Sequence, residues 1–339
     1  MTTIQRNSSH PSTSSATMRA VIRERYGAPS EVLRVADVPV PTAGADEVLV
    51  RVHAAGLDRG VWHVLTGLPY PVRLAGYGIR APRNHILGGD LAGVVERVGS
   101  GVTRFVVGDE VYGTGFGTFA EYARARKDQL SRKPATLTFE QAAAVPVSAQ
   151  TALQAVRDHA RVQPGHQVLV VGASGGVGSY AVQIAKARGA SVTGVAGPAK
   201  LDLVRALGAD AVLDYTTDPL PPLRYDVILD VGGNTPVSQL RQALTRRGTL
   251  VMVGGETGGR VLGGIQRQLG ATLLSPFVRQ RLLTFVCKQN AHDLAALRDL
   301  IDSGQIRPAV DRVLPVDRAA DALRLLLDGS VRGKVVLTP

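Results

Sequence analysis

The stretch VLVVGASGGVGSYAVQIAKARGA, Val168–Ala190, decides how this chain folds. Four apolar residues, Val168–Val171, read as a fully buried strand. The chain then runs through Gly172-Ala-Ser-Gly175-Gly176-Val-Gly178 straight into an Ala- and Ile-bearing helix. Glycines there permit a tight turn and let backbone N–H groups reach a pyrophosphate with no Cβ in the way. The helix amino terminus adds unpaired donors and a partial positive charge. A glycine-rich turn alone is weak evidence, but this one stands between strand and helix, as dinucleotide binding requires.

Moving outward, the rhythm repeats. Strand SVTGVAG, helix AKLDLVRALGA, strands DAVLDY and YDVILDVGG, a helix near Pro236–Leu244 and strand GTLVMVGG follow in order. Strands alternating with helices of about ten residues predict a doubly wound parallel sheet with helices on both faces, a Rossmann domain in an α/β protein. Toward the amino end the text differs. RAVIR, EVLRVADV, EVLVRVHAAG and DLAGVVERVG are short β-type runs divided by Gly and Pro, which predicts a compact, largely antiparallel β-rich domain. Around 139–159 the composition turns helical. Near the carboxyl end come two amphipathic helices, AHDLAALRDLIDSG and VDRAADALRLLLDG, and a closing strand, GKVVLTP. Residues 1–17, rich in Ser and Thr without apolar periodicity, read as a disordered tail, with Met18 as an alternative start.

Composition excludes several classes. No apolar run reaches the roughly 18 residues a membrane span needs. The single cysteine, Cys287, excludes an internal disulfide and any multi-cysteine metal site, which fits the cytoplasm. The net charge of +11 is mostly arginine, yet no run of four basic residues occurs, and aromatics are only 4%. A solvated basic surface accounts for that better than a nucleic-acid face.

The cofactor's type follows from the end of the second strand of the series. NAD-preferring sites usually carry an acid there for the ribose 2′-hydroxyl. This strand ends Val195-Ala196-Gly197, and Lys200 follows. A small residue leaves room for a 2′-phosphate and a lysine can pair with it, so NADPH is expected over NADH. The alternative is that Lys200 is simply an exposed residue of a helix's first turn.

The succession AAGLDRGVWHVLTG, LGGDLAGVVERVGSGVTRFVVGDEVYG, FAEYA, FEQAAAVPVSAQTALQAV, VLVVGASGGVGSYAVQIAK, LGADAVLDY, YDVILDVGG, GTLVMVGG and GKVVLTP resembles the medium-chain dehydrogenase/reductase superfamily. More narrowly, it resembles the zinc-independent quinone oxidoreductase branch, which also contains enoyl reductases. The resemblance covers nearly everything from Met18 to Pro339. It implies a GroES-like β-rich catalytic domain, 18–147 and 286–339, with a Rossmann NADP-binding domain, 148–285, inserted. The pyrophosphate would lie on Gly175, Gly176 and Val177 within the turn that also holds Gly172, Ser174 and Gly178. Gly197, Lys200 and Tyr215 would stand at the adenosine phosphate end. Thr151, Gly232 and Gly254 would line the nicotinamide side, and Lys334 would close over the cofactor.

The segment VHAAGLDRGVWHVLTG, 52–67, gathers His53, Asp58 and His63 around Trp62. In zinc-dependent relatives a Cys ligand stands where this chain has Asp58, and GHE stands where it has Gly88-Gly89-Asp90. Zinc catalysis needs about three protein ligands, so the reading here is no metal site, with His53 structural.

Without a metal, hydride delivery to an already electrophilic acceptor, a quinone or a related conjugated carbonyl, is the expected reaction. Asp58, Trp62, His63 and Tyr70 are the candidate catalytic residues. Asp58 either faces the cleft or stabilises its turn. His63 either donates a proton or is structural. Trp62 either stacks on a planar substrate or packs in the core, and Tyr70 is placed at the pocket mouth. The alternatives are an enoyl-thioester reductase (enoyl-CoA or polyketide-type), or an NADPH-binding protein without catalysis, RNA binding included. The family pattern also suggests a homodimer, joined along the apolar run RLLTFVCK, Arg281–Lys288.

Overall fold

The computed structural model describes residues 16–255 and 259–339. The amino-terminal part runs β1 (Thr17–Ile22), α1 (Pro29–Val32), β2 (Arg34–Pro39), β3 (Glu47–Leu57), α2 (Arg59–Thr66), β4 (Asp90–Val98), β5 (Glu110–Thr114), β6 (Tyr122–Arg126) and β7 (Leu130–Arg132). Helices α3 (Phe139–Ala143) and α4 (Pro146–Gln154) lead into β8 (Gln167–Val171), α5 (Gly176–Ala187), β9 (Ser191–Ala196), α6 (Leu201–Ala206) and β10 (Ala211–Asp214). Then come β11 (Tyr225–Asp230), α7 (Val237–Ala243), β12 (Leu244–Met252), α8 (Ile265–Leu274) and β13 (Arg281–Thr284). The chain finishes with α9 (Ala291–Asp302), β14 (Val310–Pro315), α10 (Ala319–Leu327) and β15 (Lys334–Thr338).

Strands β8–β13 form one parallel sheet in the order β10-β9-β8-β11-β12-β13. The order reverses between β8 and β11, and a crevice opens beyond the strand ends at such a switch point. Strand β8 shows why it had to be apolar throughout. Val168 and Val170 enter the core shared with α4, α5 and α9, whereas Leu169 and Val171 enter the core on the α7–α8 face. Each such burial contributes roughly 1.5–3 kcal/mol.

The second large sheet has seven strands, β14-β15-β3-β4-β5-β7 with β6 also on β3, and β1–β2 form a separate antiparallel pair. Its path joins the two ends of the chain, because β15 pairs antiparallel with β3. The expected tail needs one correction. Residues 1–15 lie outside the described residues, but Thr17 is ordered in β1 opposite Pro39, and the Val40 N–H donates to Ala16 O at 2.9 Å. The bond pairs these flanking residues in a ladder that composition did not reveal. Strand β14 and helix α8 were not anticipated. Helix α9, expected with the β-rich part, places Leu294, Leu297 and Ile301 in the core beneath the parallel sheet.

Candidate functional site

At the carboxyl ends of β8, β9 and β11 lies a cavity of about 520 Å3. Its wall brings together Gly172, Ser174, Gly197, Lys200, Tyr215 and Gly232 of the expected cofactor residues, along with Val171, Ala196, Asn234, Thr235 and Gln239. The turn that borders it is glycine for steric reasons. Gly172 adopts φ +81°, and a methyl there would sit 2.8 Å from the Gly232 nitrogen. A methyl on Gly178 would lie 2.1 Å from the Gly172 carbonyl oxygen, so α5 could not approach the turn. At Gly175, by contrast, a methyl would meet nothing closer than 3.5 Å, leaving space against the backbone. Val177 packs on the core from the first turn of α5. Gly254 comes so close to β11 that a methyl would fall 2.1 Å from Val231 O. This turn, helix start and open cavity fit a dinucleotide.

At the adenosine end the Tyr215 ring covers Gly197, where a methyl would lie 3.3 Å from it. The Lys200 ammonium donates to the carbonyls of Gly329 and Val331, the latter at 2.7 Å, and burial lowers its pKa. Asp218 also lines the cavity, with one carboxylate oxygen accepting the Asp214 N–H at 2.8 Å.

The last strand reaches the same turn. Gly333 N–H donates to Ser174 O at 2.8 Å, and Gly175 forms a parallel bridge with Gly333. Lys334 is buried, its stem 3.0 Å from where a Gly176 methyl would be, and its ammonium donates to Asp90 Oδ2 at 3.3 Å. Asp90 Oδ1 accepts the Val147 N–H of α4 at 3.0 Å. Burial pushes the Asp90 carboxyl up to about 7, Lys334 opposing and Asp58 adding to the rise. Thr151, one turn further along α4, donates its hydroxyl to Val147 O at 2.7 Å.

The candidate catalytic residues sit on or beside α2. Asp58 is its N-cap residue and makes no capping hydrogen bond from its side chain. Trp62 packs on the core of the β-rich part, edge-on to His63 with centroids 4.9 Å apart. His63 Nδ1 lies 2.8 Å from Leu68 O, which ties the helix to the loop after it. Tyr70, in that loop, is 44% exposed, lies under the Arg73 guanidinium at 5.0 Å and donates its N–H to Arg260 O at 3.0 Å. This last bond ties the loop after α2 to the segment after β12. The described contacts of Trp62 and His63 are thus packing and a helix-to-loop bond, and among the described residues no side-chain hydrogen bond of Asp58 or Tyr70 is found.

The same geometry tests whether zinc fits. His53 is stacked on Phe139, centroids 4.3 Å apart, and does not converge with Asp58 and His63. A methyl at Gly89 would meet nothing within 4 Å, so there is room for a ligating side chain but none is present. Asp90 is committed to Val147 and Lys334. Among the described residues no group of three or more His, Cys, Asp or Glu is placed to hold a metal ion. The residues do not fit zinc.

Two features were missed by sequence reasoning. One is Asp90, visible only as the acid of GGD, whose partner lies at the far end of the chain. The other is the buried pair Asp230–Arg267 at 2.6 Å, where Arg267 also donates to Thr235 O at 2.5 Å beneath the cavity wall. Nothing in the local text around Arg267 signals it.

Comparison with known proteins agrees with this architecture. Residues 44–135 match the alcohol dehydrogenase GroES-like domain, and residues 207–337 match the family described as zinc-binding dehydrogenase. A chloroplastic quinone-oxidoreductase, QR1, of Triphysaria versicolor is 30% identical, covering 95% of this chain and 98% of its own. An NADPH-dependent alkenal/one oxidoreductase of Arabidopsis thaliana is 32% identical, over 95% of this chain and 80% of its own. The quinone oxidoreductase structure from Coxiella burnetii superposes with a TM-score of 0.82 at 28% identity, covering 96% of this chain and all of that one, 100%. A mycobacterial structure complexed with NADPH gives 0.79 at 27%, over 95% and 100%. The chain belongs to the medium-chain dehydrogenase/reductase superfamily. Within it, this is an enzyme of the quinone oxidoreductase-like type, with an NAD(P)-binding fold.

Proposed function

We propose that the enzyme is an NADPH-dependent, zinc-independent reductase of quinones and related conjugated carbonyls. The observation that carries the cofactor choice is the end of β9. It offers Ala196 and Gly197 in place of an acid, with Lys200 and Tyr215 on the cavity wall. The names of the quinone and alkenal/one relatives support the acceptor class. When bound, the cofactor supplies the hydride. The protein's part is placement. The amides of Gly175 and Gly176 and the start of α5 receive the pyrophosphate. Thr151, Gly232 and Gly254 flank the nicotinamide, and Lys334 lies over the turn. Asp58 orients the acceptor or a water on the crevice side, with Tyr70 at its mouth, and closure of the crevice excludes water. We assign 18–147 and 286–339 to the catalytic domain and 148–285 to the nucleotide domain.

The test is oxidation of NADPH and NADH by the purified protein against ortho- and para-quinones, an alkenal and an enoyl-CoA, with a chelator throughout. Turnover of quinone or alkenal with NADPH, undiminished by chelator, is the expected result. Equal use of NADH would sink the cofactor choice, loss with chelator the metal-free reading, and turnover of enoyl-CoA alone the acceptor class.

We also propose a homodimer. Strand β13 is an edge of the parallel sheet, and an uncovered apolar edge is a liability. Beside it, Leu269, Leu273 and Phe277 are exposed.

A further inference from the structure

Asp90, Lys334 and Val147 come from three distant parts of the chain and meet at the start of α4. Asp90 is 0% exposed and Lys334 2%. Gly56 leaves the room that the acid occupies. A methyl on Gly56 would lie 2.9 Å from Asp90 Cβ and 2.2 Å from Ala143 O. The lysine backbone is fixed, its N–H donating to Ala309 O at 2.8 Å. Helix α4 starts at Pro146 without a capping side chain of its own, and Asp90 supplies the missing acceptor from another strand. A carboxylate is favoured there by the helix dipole.

We infer that Asp90 is a positioning residue of the cofactor site, its carboxylate holding the Lys334 side chain across the glycine turn while it anchors the start of α4. With Asp90 present, the Lys334 ammonium is held at Asp90 Oδ2 and its stem lies over Gly176, Cδ 3.0 Å from where a methyl would be, so the lysine backs the turn that would carry a pyrophosphate. This rests on the reading that the glycine turn holds the dinucleotide. Burial pushes the carboxyl up to about 7, so the pair is most fully ionic on the alkaline side of neutrality.

The experiment is titration of the full-length protein with NADPH at pH 8, followed by the cofactor's fluorescence. Wild type is compared with Asp90→Asn, Lys334→Met and the double variant. Asparagine keeps the acceptor for Val147 and removes only the charge. Each single change is expected to raise Kd about tenfold, the loss of one charge-assisted contact. The double should be no worse than either single, because both break the same pair. Lys334→Arg, which keeps a donor for Asp90 to hold, should stay within about threefold of wild type. Wild-type Kd in Asp90→Asn, multiplied effects in the double, or a loss of about tenfold in Lys334→Arg would each overturn the inference. Should Asp90→Asn not fold, Lys334→Met alone decides, and an unchanged Kd there overturns it. Wild type that binds no NADPH would instead remove the cofactor reading, and this inference with it.

Discussion

The ammonium of Lys200 already donates to the carbonyls of Gly329 and Val331, so a cofactor phosphate at that corner competes for it and does not meet a bare charge. Lys200→Ala should therefore raise the KM for NADPH by about tenfold, near the lower end for a charge-assisted contact, and leave that for NADH within about twofold. Steady-state kinetics with both cofactors checks this. Asp58 makes no capping bond; Asp58→Ala should lower quinone kcat by about tenfold or more with NADPH affinity little changed, and unchanged turnover would remove it from the site. Asp90 gives a pH signature. Its carboxyl stands at about 7 in the fold against an ordinary 3.8, raised by burial and by Asp58 and lowered by Lys334. Between those values the folded chain keeps a proton that the unfolded chain has lost. This group therefore favours folding at the acid end and withdraws that support as the pH rises toward 7. Measured without cofactor, the Tm of wild type relative to Asp90→Asn should fall across that window. A constant difference would contradict the assignment.

Among the elements, β8 and α5 were readable because their reasons are local. An apolar strand, glycines at forced positions and an apolar helix are all written within Val168–Ala190. Gly178→Ala, which would place a methyl 2.1 Å from Gly172 O, should cost more than about 2 kcal/mol by urea unfolding and weaken NADPH binding. Helix α8 was unreadable for the opposite reason. Its Leu269 and Leu273 are exposed, so its apolar positions do not mark a core-facing stripe. The turn Arg73–Tyr77 sits amid Gly and Pro and reads as loop. Strand β14, VDRVLP, is charged at its start and half-buried, and its pairing with β15 is decided by partners far away in sequence.

For the whole molecule, the glycine turn and the alternation of strands and helices were legible, but contacts between residues far apart in the sequence were not. Lys200 on Gly329, Lys334 on Asp90 and Gly333 on Ser174 pair residues that no local pattern connects. They build much of the candidate site, which is why the glycine turn of its cavity wall could be read as a motif while the Asp90–Lys334 pair could not. The assembly prediction belongs at this scale. Light scattering should give about twice the 35.7 kDa chain mass. Leu273→Glu with Phe277→Glu should shift it to the monomer, since both side chains are exposed beside the β13 edge. A monomeric wild type would end the dimer proposal.

The pairing of β15 with β3 sets an order of events during synthesis. The parallel sheet uses a continuous middle segment and can assemble while the ribosome is still at work. The β-rich part cannot, because β3 emerges early and its partner β15 much later. Until β15 has emerged, Ala55–Leu57 of β3 lack that partner and the glycine turn lacks Gly333 and Lys334. A growing chain in that state presents a short strand edge that chaperones would need to shield.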